Sequence, residues 1–167
     1  MINAIKKRRA IREYLNEAVA DDKLQEILNA ALCSPSANAL YPWELVVIKD
    51  HATKEVLSKA TPWATFAKEA AVIIAVVGHK AESPQWIESC SIAAEHIWLE
   101  AAEQNLGACW IQIRDQGNAE DDVKSILNIP SQHGVLCLMA IGVPAQALAE
   151  HDLAKLDKSK IKYEKYK

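Results

Sequence analysis

Two stretches of this chain, Ala71 to Val77 (AVIIAVV) and Val135 to Val143 (VLCLMAIGV), are continuously apolar yet far too short to span a membrane. A strand with one wet face alternates polar and apolar residues. An unbroken run bounded by Gly78 in one case and Pro144 in the other predicts a strand covered on both faces. Such strands oblige helices to lie on both sides of a sheet. Asp21-Asp22 open one helix, with Leu24, Ile27, Leu28, Ala31 and Leu32 at helical spacing, ending before Ser34-Pro35. Ser83-Pro84 open the longest helix, to about Asn105, with Trp86, Cys90, Ala93, Ala94, Ile97 and Ala101 on one face and Gly107 as the stop. Shorter helices are predicted over 2–9 (Ile2 and Ile5 forming its apolar side), 51–60, 61–69 and 119–127, and further strands over 44–49 and 108–113. No linker divides the 167 residues, so the expectation is one domain, 1–167, of layered α/β or α+β architecture.

Doubly wound nucleotide folds hold phosphate with a glycine-rich loop after an early strand. Here the glycines are Gly78, Gly107, Gly117, Gly134 and Gly142, and no two are spaced for G-x-G-x-x-G or a Walker A loop. A bound nucleotide would need side chains instead. Arg8, Arg9 and Arg12 are three of the four arginines, follow Lys6 and Lys7, and meet no acid before Glu13. A guanidinium is a rigid fork of donors matched to phosphate or carboxylate. The competing reading of the cluster is a solvated basic face at a helix end. Ser34-Pro35-Ser36-Ala37-Asn38 is either a fixed turn that a flat ligand can approach closely or an ordinary connection. Trp43 and Trp110 are core residues or a stacking wall.

A net charge of −3 and a pI near 6.0 argue against general nucleic-acid affinity. No apolar leader and no membrane-length run is present, so a cytoplasmic protein without membrane partners is expected. Cys33, Cys90, Cys109 and Cys137 form no C-x-x-C pair and read as reduced, mostly buried thiols. His96 and Glu100 stand one helical turn apart without a third ligand, which points away from a metal site. Ser34 and Ser36 lack a G-x-S-x-G setting for nucleophilic catalysis. The segment after Pro144 carries six lysines. Its end, Ile161 to Tyr166, alternates weakly like an edge strand, and a tail this charged is either disordered or docked on a partner.

These pieces fall into an ordered set. Arg8-Arg9-Ala10-Ile11-Arg12 with Tyr14 resembles the R-R-S-x-R-x-F opening of the nitroreductase family. Ser34-Pro35-Ser36-Ala37 followed by Pro42-Trp43-Glu44 resembles its P-S-x-x-N-x-Q-P-W-x-F segment. Leu106-Gly107-Ala108-Cys109-Trp110-Ile111 is similar to its L-G-x-x-x-W-I strand. Leu127-Asn128-Ile129-Pro130 and Ile141-Gly142-Val143-Pro144 resemble its L-x-I-P and I-G-x-P signatures, and Lys160-Ile161-Lys162-Tyr163 its K-V-H-Y ending.

The resemblance implies an α+β fold with a central, mostly antiparallel sheet of four to five strands flanked by helices. It also implies a homodimer with FMN at the subunit interface and the C-terminal tail docked on the partner subunit. Arg8 and Arg12 would contact the phosphate, ribityl chain or pyrimidine side of FMN, with Arg9 close by, Ala10 at the family's serine position, and Lys155 and Lys160 as phosphate partners. Pro35, Ser36 and Ala37 from the other subunit would pack near the dimethylbenzene side, with Ala39 at the family's asparagine position. Backbone groups of Ile111, Gln112 and Ile113 would lie near N5 and O4 of the ring. The implied activity is hydride transfer from NADH or NADPH through flavin N5 to a nitroaromatic, quinone or similar small-molecule acceptor, by a ping-pong cycle. The flavin carries the chemistry, and Arg12 would stabilise negative charge near N1 and O2.

The chain also departs from the pattern. Ala10 removes a hydroxyl ligand to phosphate, Ala39 removes an amide, Tyr41 replaces Gln or Arg before proline, and Lys162 stands where histidine is common. Ala10 and Ala39 motivate an alternative, a non-catalytic flavin-binding or storage protein. A third reading is a chain of this fold that has lost flavin. The short interval from Gly78 to Trp86 predicts an open substrate side. Arg114 either binds an anionic substrate or makes a surface salt bridge.

Overall fold

The two apolar runs form the middle of a four-stranded sheet. In the computed structural model, which describes residues 1–146 and 149–166, β1 is Trp43–Ile48, β2 Val72–Gly78, β3 Gly107–Gln112 and β4 Gly134–Gly142. The order is β1-β2-β4-β3 and every pairing is antiparallel. Every residue of β2 and β4 is buried, as an unbroken apolar pattern requires.

Alternate side chains of these strands feed separate cores. Val72, Ile74, Val76, Cys137, Met139 and Ile141 face one side, where they pack with Cys90, Ala93, Ala94, Ile97 and Ala101 of α4 (Trp86–Glu103). Alanine at three of those five helical positions lets the helix lie close on the sheet. Helix α2 (Asp21–Leu32) packs on α4 through Leu24, Ile27 and Ala31, while Leu32 stays exposed. Ile73, Ala75, Leu138, Ala140, Ile111 and Ile113 face the other side, against Leu57 of α3 (His51–Leu57) and Val123 of α5 (Ala119–Leu127). Asp50 caps α3 by accepting from the Thr53 N–H at 2.8 Å, and Asn128 ends α5 in the left-handed region at φ 55°.

Three expected elements come out differently. The first helix, α1, covers only Asn3–Lys7, and it buries Ala4 while Ile2 and Ile5 remain exposed. Arg8 breaks it with extended ψ of 123°, because the residues that follow are drawn into pairing with the sheet. The expected helix after Pro62 shortens to a 3₁₀ turn, Thr65–Glu69. Residues 161–166 form no strand. An isolated strand has no ladder to satisfy its backbone, and these residues lie exposed in the protomer.

The pairing that ends α1 produces a strap over the sheet. Ala10 bridges Ala108 in parallel, the Ile11 N–H donates to the Ala108 carbonyl at 3.0 Å, and Tyr14 bridges Pro144. Two glycines that face each other across β3 and β4, Gly107 and Gly142, make room for it. A Cβ at Gly107 would fall 2.7 Å from the Ile11 side chain, and one at Gly142 would fall 2.8 Å from the Tyr14 ring. The Tyr14 hydroxyl fixes the strap further, facing the carbonyls of Ile11 at 2.7 Å and Ala140 at 3.0 Å.

Candidate flavin site

The strap divides the arginine cluster into distinct jobs. The Arg8 guanidinium lies 4.3 Å from the ring centroid of Trp98 and 3.9 Å from the Glu95 carboxylate. A cation on an indole face gains about 0.5–2 kcal/mol and is held in orientation while its remaining donors stay usable. Trp98 is fixed in turn, its Nε1–H donating to the Arg9 carbonyl at 3.1 Å. Burial raises the Glu95 carboxyl above its usual range, opposed by Arg8 and His96.

Arg12 stands apart. It is exposed, its guanidinium lies 5.8 Å from the Phe66 ring, and no carboxylate pairs with it among the described residues. It lies close enough to β3 to favour the thiolate of Cys109, although burial dominates and the thiol is still pushed up. Arg9 points elsewhere: its Nε and Nη2 donate to the carbonyls of Ala149 and Glu150, each at 2.8 Å. Ala10 is exposed beside Ala108 and brings only a methyl group.

The strap covers only the first part of the outer edge of β3. Because the Ala108 carbonyl points to the strap, strand alternation turns the backbone groups of Trp110 and Gln112 the same way. Those of Ile111 and Ile113 turn toward β4, where the Ile113 N–H donates to Leu136. Of the three positions expected at the flavin ring, Ile111 and Gln112 at the end of β3 and Ile113 just after it, Gln112 alone presents its backbone to the open edge. Its side chain stiffens the strand end, accepting from Trp110 Nε1 at 2.9 Å and donating to the Arg114 carbonyl at 2.9 Å. Arg114 makes a 2.8 Å salt bridge with Asp115.

The remaining expected site residues are not gathered here. Pro35, Ser36, Ala37 and Ala39 follow α2, and no described hydrogen bond or ion pair links them to the arginines. The Ser36 hydroxyl accepts from the Tyr41 N–H at 2.7 Å, closing a turn in which Asn38, Ala39 and Tyr41 all have positive φ. Lys155 pairs with Asp152 at 3.6 Å and is 84% exposed, and Lys160 is exposed as well. Trp43 is buried and Trp110 half-buried, so the indole that meets an arginine is Trp98. Nothing in its helical spacing marks Trp98 off from the core residues around it, and Phe66 and Glu95 are equally silent in sequence.

Other chemistries find little support. Cys90, Cys109 and Cys137 are buried, with burial pushing the Cys90 thiol up to about 12 and that of Cys137 well above its usual value. Cys33 is the exposed one of the four, which leaves the cysteines mostly buried, as expected. His96 Nδ1 bonds the Ala30 carbonyl at 3.0 Å and Glu100 accepts from Gln104 at 2.8 Å, so the two are engaged separately. Among the described residues no group of three His, Cys, Asp or Glu could hold a metal ion, and no helix is long and apolar enough to cross a membrane.

A strap of arginines beside a half-open sheet edge is thus the feature to compare with known proteins. The model of the Nitroreductase family matches residues 5–64 and 54–143. The chain belongs to the nitroreductase family. A family relative from Methanothermobacter thermautotrophicus, provisionally named an NADH dehydrogenase/NAD(P)H nitroreductase, is 30% identical over 99% of this chain and 87% of its own. An FMN-dependent nitroreductase from Clostridium difficile R20291 is 35% identical, with TM-score 0.95 over 99% of this chain and all of that one. A nitroreductase family protein from Clostridium novyi NT superposes with TM-score 0.77 at 28% identity, over 92% of this chain and 87% of that one. The antiparallel sheet with helices on both faces is therefore the nitroreductase fold, as expected from the sequence.

Proposed function

We propose that this chain is an FMN-dependent NAD(P)H oxidoreductase that reduces a nitroaromatic, quinone or similar acceptor, working as a homodimer with flavin between subunits. The observation that carries the reading is the strap. It carries Arg8, braced on Trp98, and Arg12, free of any described carboxylate, and it leaves the Gln112 end of the outer β3 edge uncovered. Two cations and an outward-facing peptide group are a donor set suited to a phosphate and to the polar edge of a flavin. The family and the names of its relatives supply the cofactor and reductant.

When bound, FMN would supply the two-electron chemistry, taking hydride at N5 from NADH or NADPH and passing it on in a ping-pong cycle. Arg8 and Arg12 would bind its anionic and pyrimidine sides, with Lys155 and Lys160 of the tail as further phosphate partners. Arg12 would hold positive charge where electron density accumulates. Tyr14 and the paired glycines keep the strap in register, and with it both arginines. No protein nucleophile, acid or base is assigned.

Dimerisation has support of its own. No described hydrogen bond or ion pair joins the arginines of the strap to the turn at 35–39 within one protomer, and the outer edge of β1 is unpaired beside a groove formed with Leu28 and Leu32 of α2. The tail leaves Leu156, Ile161, Tyr163 and Tyr166 exposed, which a partner surface would cover. The free cysteines suit a reducing, cytoplasmic setting. The test is the visible spectrum of the purified protein followed by anaerobic mixing with NADH and NADPH: a flavin spectrum bleached within milliseconds to seconds is expected, and a colourless protein that refuses added FMN would overturn the reading.

One observation favours the alternative of a flavin-binding or storage protein. Ala39 holds φ 53°, a backbone state asparagine tolerates better, and like Ala10 it brings a methyl where the family brings a polar group. Bound flavin that neither nicotinamide reduces would select that alternative.

A further inference from the structure

One buried charge lies outside the proposed flavin chemistry. Lys54 is on the core-facing side of α3, one turn before Leu57, and is only 8% exposed. An ammonium withdrawn from water is costly unless its donors are used. The Lys54 Nζ donates to the Ala70 carbonyl at 2.6 Å and to the Ala71 carbonyl at 3.3 Å. Burial works against its charge, and Glu69 and Asp50 oppose that. Among the described residues neither acid makes an ion pair with it: Asp50 caps α3 through Thr53, and Glu69 pairs with Lys68.

Ala70 and Ala71 connect the 3₁₀ turn Thr65–Glu69 to β2, just ahead of Val72, the first residue of the β2–β4 register. This connection flanks the strap at two points. On its upstream side the half-buried ring of Phe66 lies 5.8 Å from the Arg12 guanidinium. On its downstream side the Ala71 nitrogen reaches Gly142 at the seat of Tyr14. A Cβ on that glycine would fall 3.2 Å from the Ala71 nitrogen and 2.8 Å from the Tyr14 ring. Leu57, Ala64, Ala67 and Ala70 belong to one buried cluster, whose small side chains bring the turn close to α3. Apolar packing of that kind has little directionality, whereas hydrogen bonds from a cation to two carbonyls fix a position.

We propose that Lys54 is a positioning residue for Arg12: through the Ala70 and Ala71 carbonyls it fixes the segment that backs the Arg12 guanidinium with Phe66 and closes on Tyr14. The positioning stands on the geometry of the protomer, and only its consequence for FMN rests on the proposed flavin reading. A leucine or methionine at position 54 would fill the same space without gathering either carbonyl.

The test is a double-mutant cycle on the full chain, read by FMN fluorescence titration. Lys54→Met keeps the stem and removes the donors. It is expected to weaken FMN about fivefold in the parent protein and to change little once Arg12→Ala is present, because the side chain it acts through is gone. Lys54→Gln, with a donor on a shorter stem, goes through the same cycle and keeps the test decisive if Lys54→Met does not fold. Equal weakening in both backgrounds would make Lys54 a stabilising residue only and overturn the proposal, as would full FMN affinity in the single variants. A second readout needs no flavin: the NMR resonance of the Arg12 Nε–H, shifted by the Phe66 ring, should move in the Lys54 variant as it does in Phe66→Leu. An Arg12 resonance that ignores Lys54 would overturn the positioning, whereas a moved resonance in a protein that binds no FMN would sink only the cofactor assignment.

Discussion

At the scale of single residues, Arg12 and Tyr14 carry separable predictions. Arg12 has no carboxylate partner to lose among the described residues, so Arg12→Ala should leave the midpoint of urea unfolding nearly unchanged while weakening FMN about tenfold in a fluorescence titration. Tyr14 is structural. Burial pushes its phenol far above the ordinary value of 10.0, opposed only weakly by Arg12, so the hydroxyl stays protonated while the fold lasts. Cys90, Cys109 and Cys137 are shifted the same way by burial. In every case the folded pKa lies above the unfolded one, so the unfolded chain releases protons that the folded chain keeps. Their stabilisation is complete at low pH and is lost as pH rises past about 9 for the thiols and 10 for the phenol, by up to ~1.4 kcal/mol per unit for each group. Urea titrations should show that decline, and Tyr14→Phe should shed the phenol's share of it above pH 10, costing about 1 kcal/mol at neutral pH for the lost hydrogen bonding.

At the scale of elements, the strap depends on the Gly107 and Gly142 pair. Gly142→Ala would push a methyl into the Tyr14 ring and is expected to cost about 1–3 kcal/mol in urea unfolding and to weaken FMN in the same titration, because the arginines ride on the displaced strap. A Gly117→Ala control meets no neighbour and carries only the cost of its φ of 56°. The central elements were readable from local pattern: α5 runs Ala119–Leu127, the bounds expected from the sequence, and β2 and β4 fall within a residue of their apolar runs. What could not be read depended on distant partners. Arg9 meets His151 across 142 residues, and nothing near either one announces the other. Ile2 and Ile5 look like the buried stripe of a helix, yet α1 lies on α4 through Ala4. Arg8 and Arg12 were legible as candidates for an anion site because the glycine loops are missing, whereas Trp98 behind Arg8 follows the same spacing as a core residue.

At the scale of the whole molecule, the proposed dimer has three exposed features to cover: the outer edge of β1, the turn at 35–39, and a tail with Tyr163 81% exposed. Truncating the chain after His151 should shift sedimentation toward monomer and reduce flavin retained on gel filtration. Full occupancy with an unchanged sedimentation profile would mean that the tail contributes to neither. The strap adds a consequence in time. Ala10 pairs with Ala108, Tyr14 with Pro144, and Lys6 with His151, so residues 6–14 find their seats only on residues made long after them. Closing loops that long comes late in folding. The strap arginines are thus set in place only after residues 108–151 have been synthesised, and a chain cut short before them would carry the arginines without the seat that orients them.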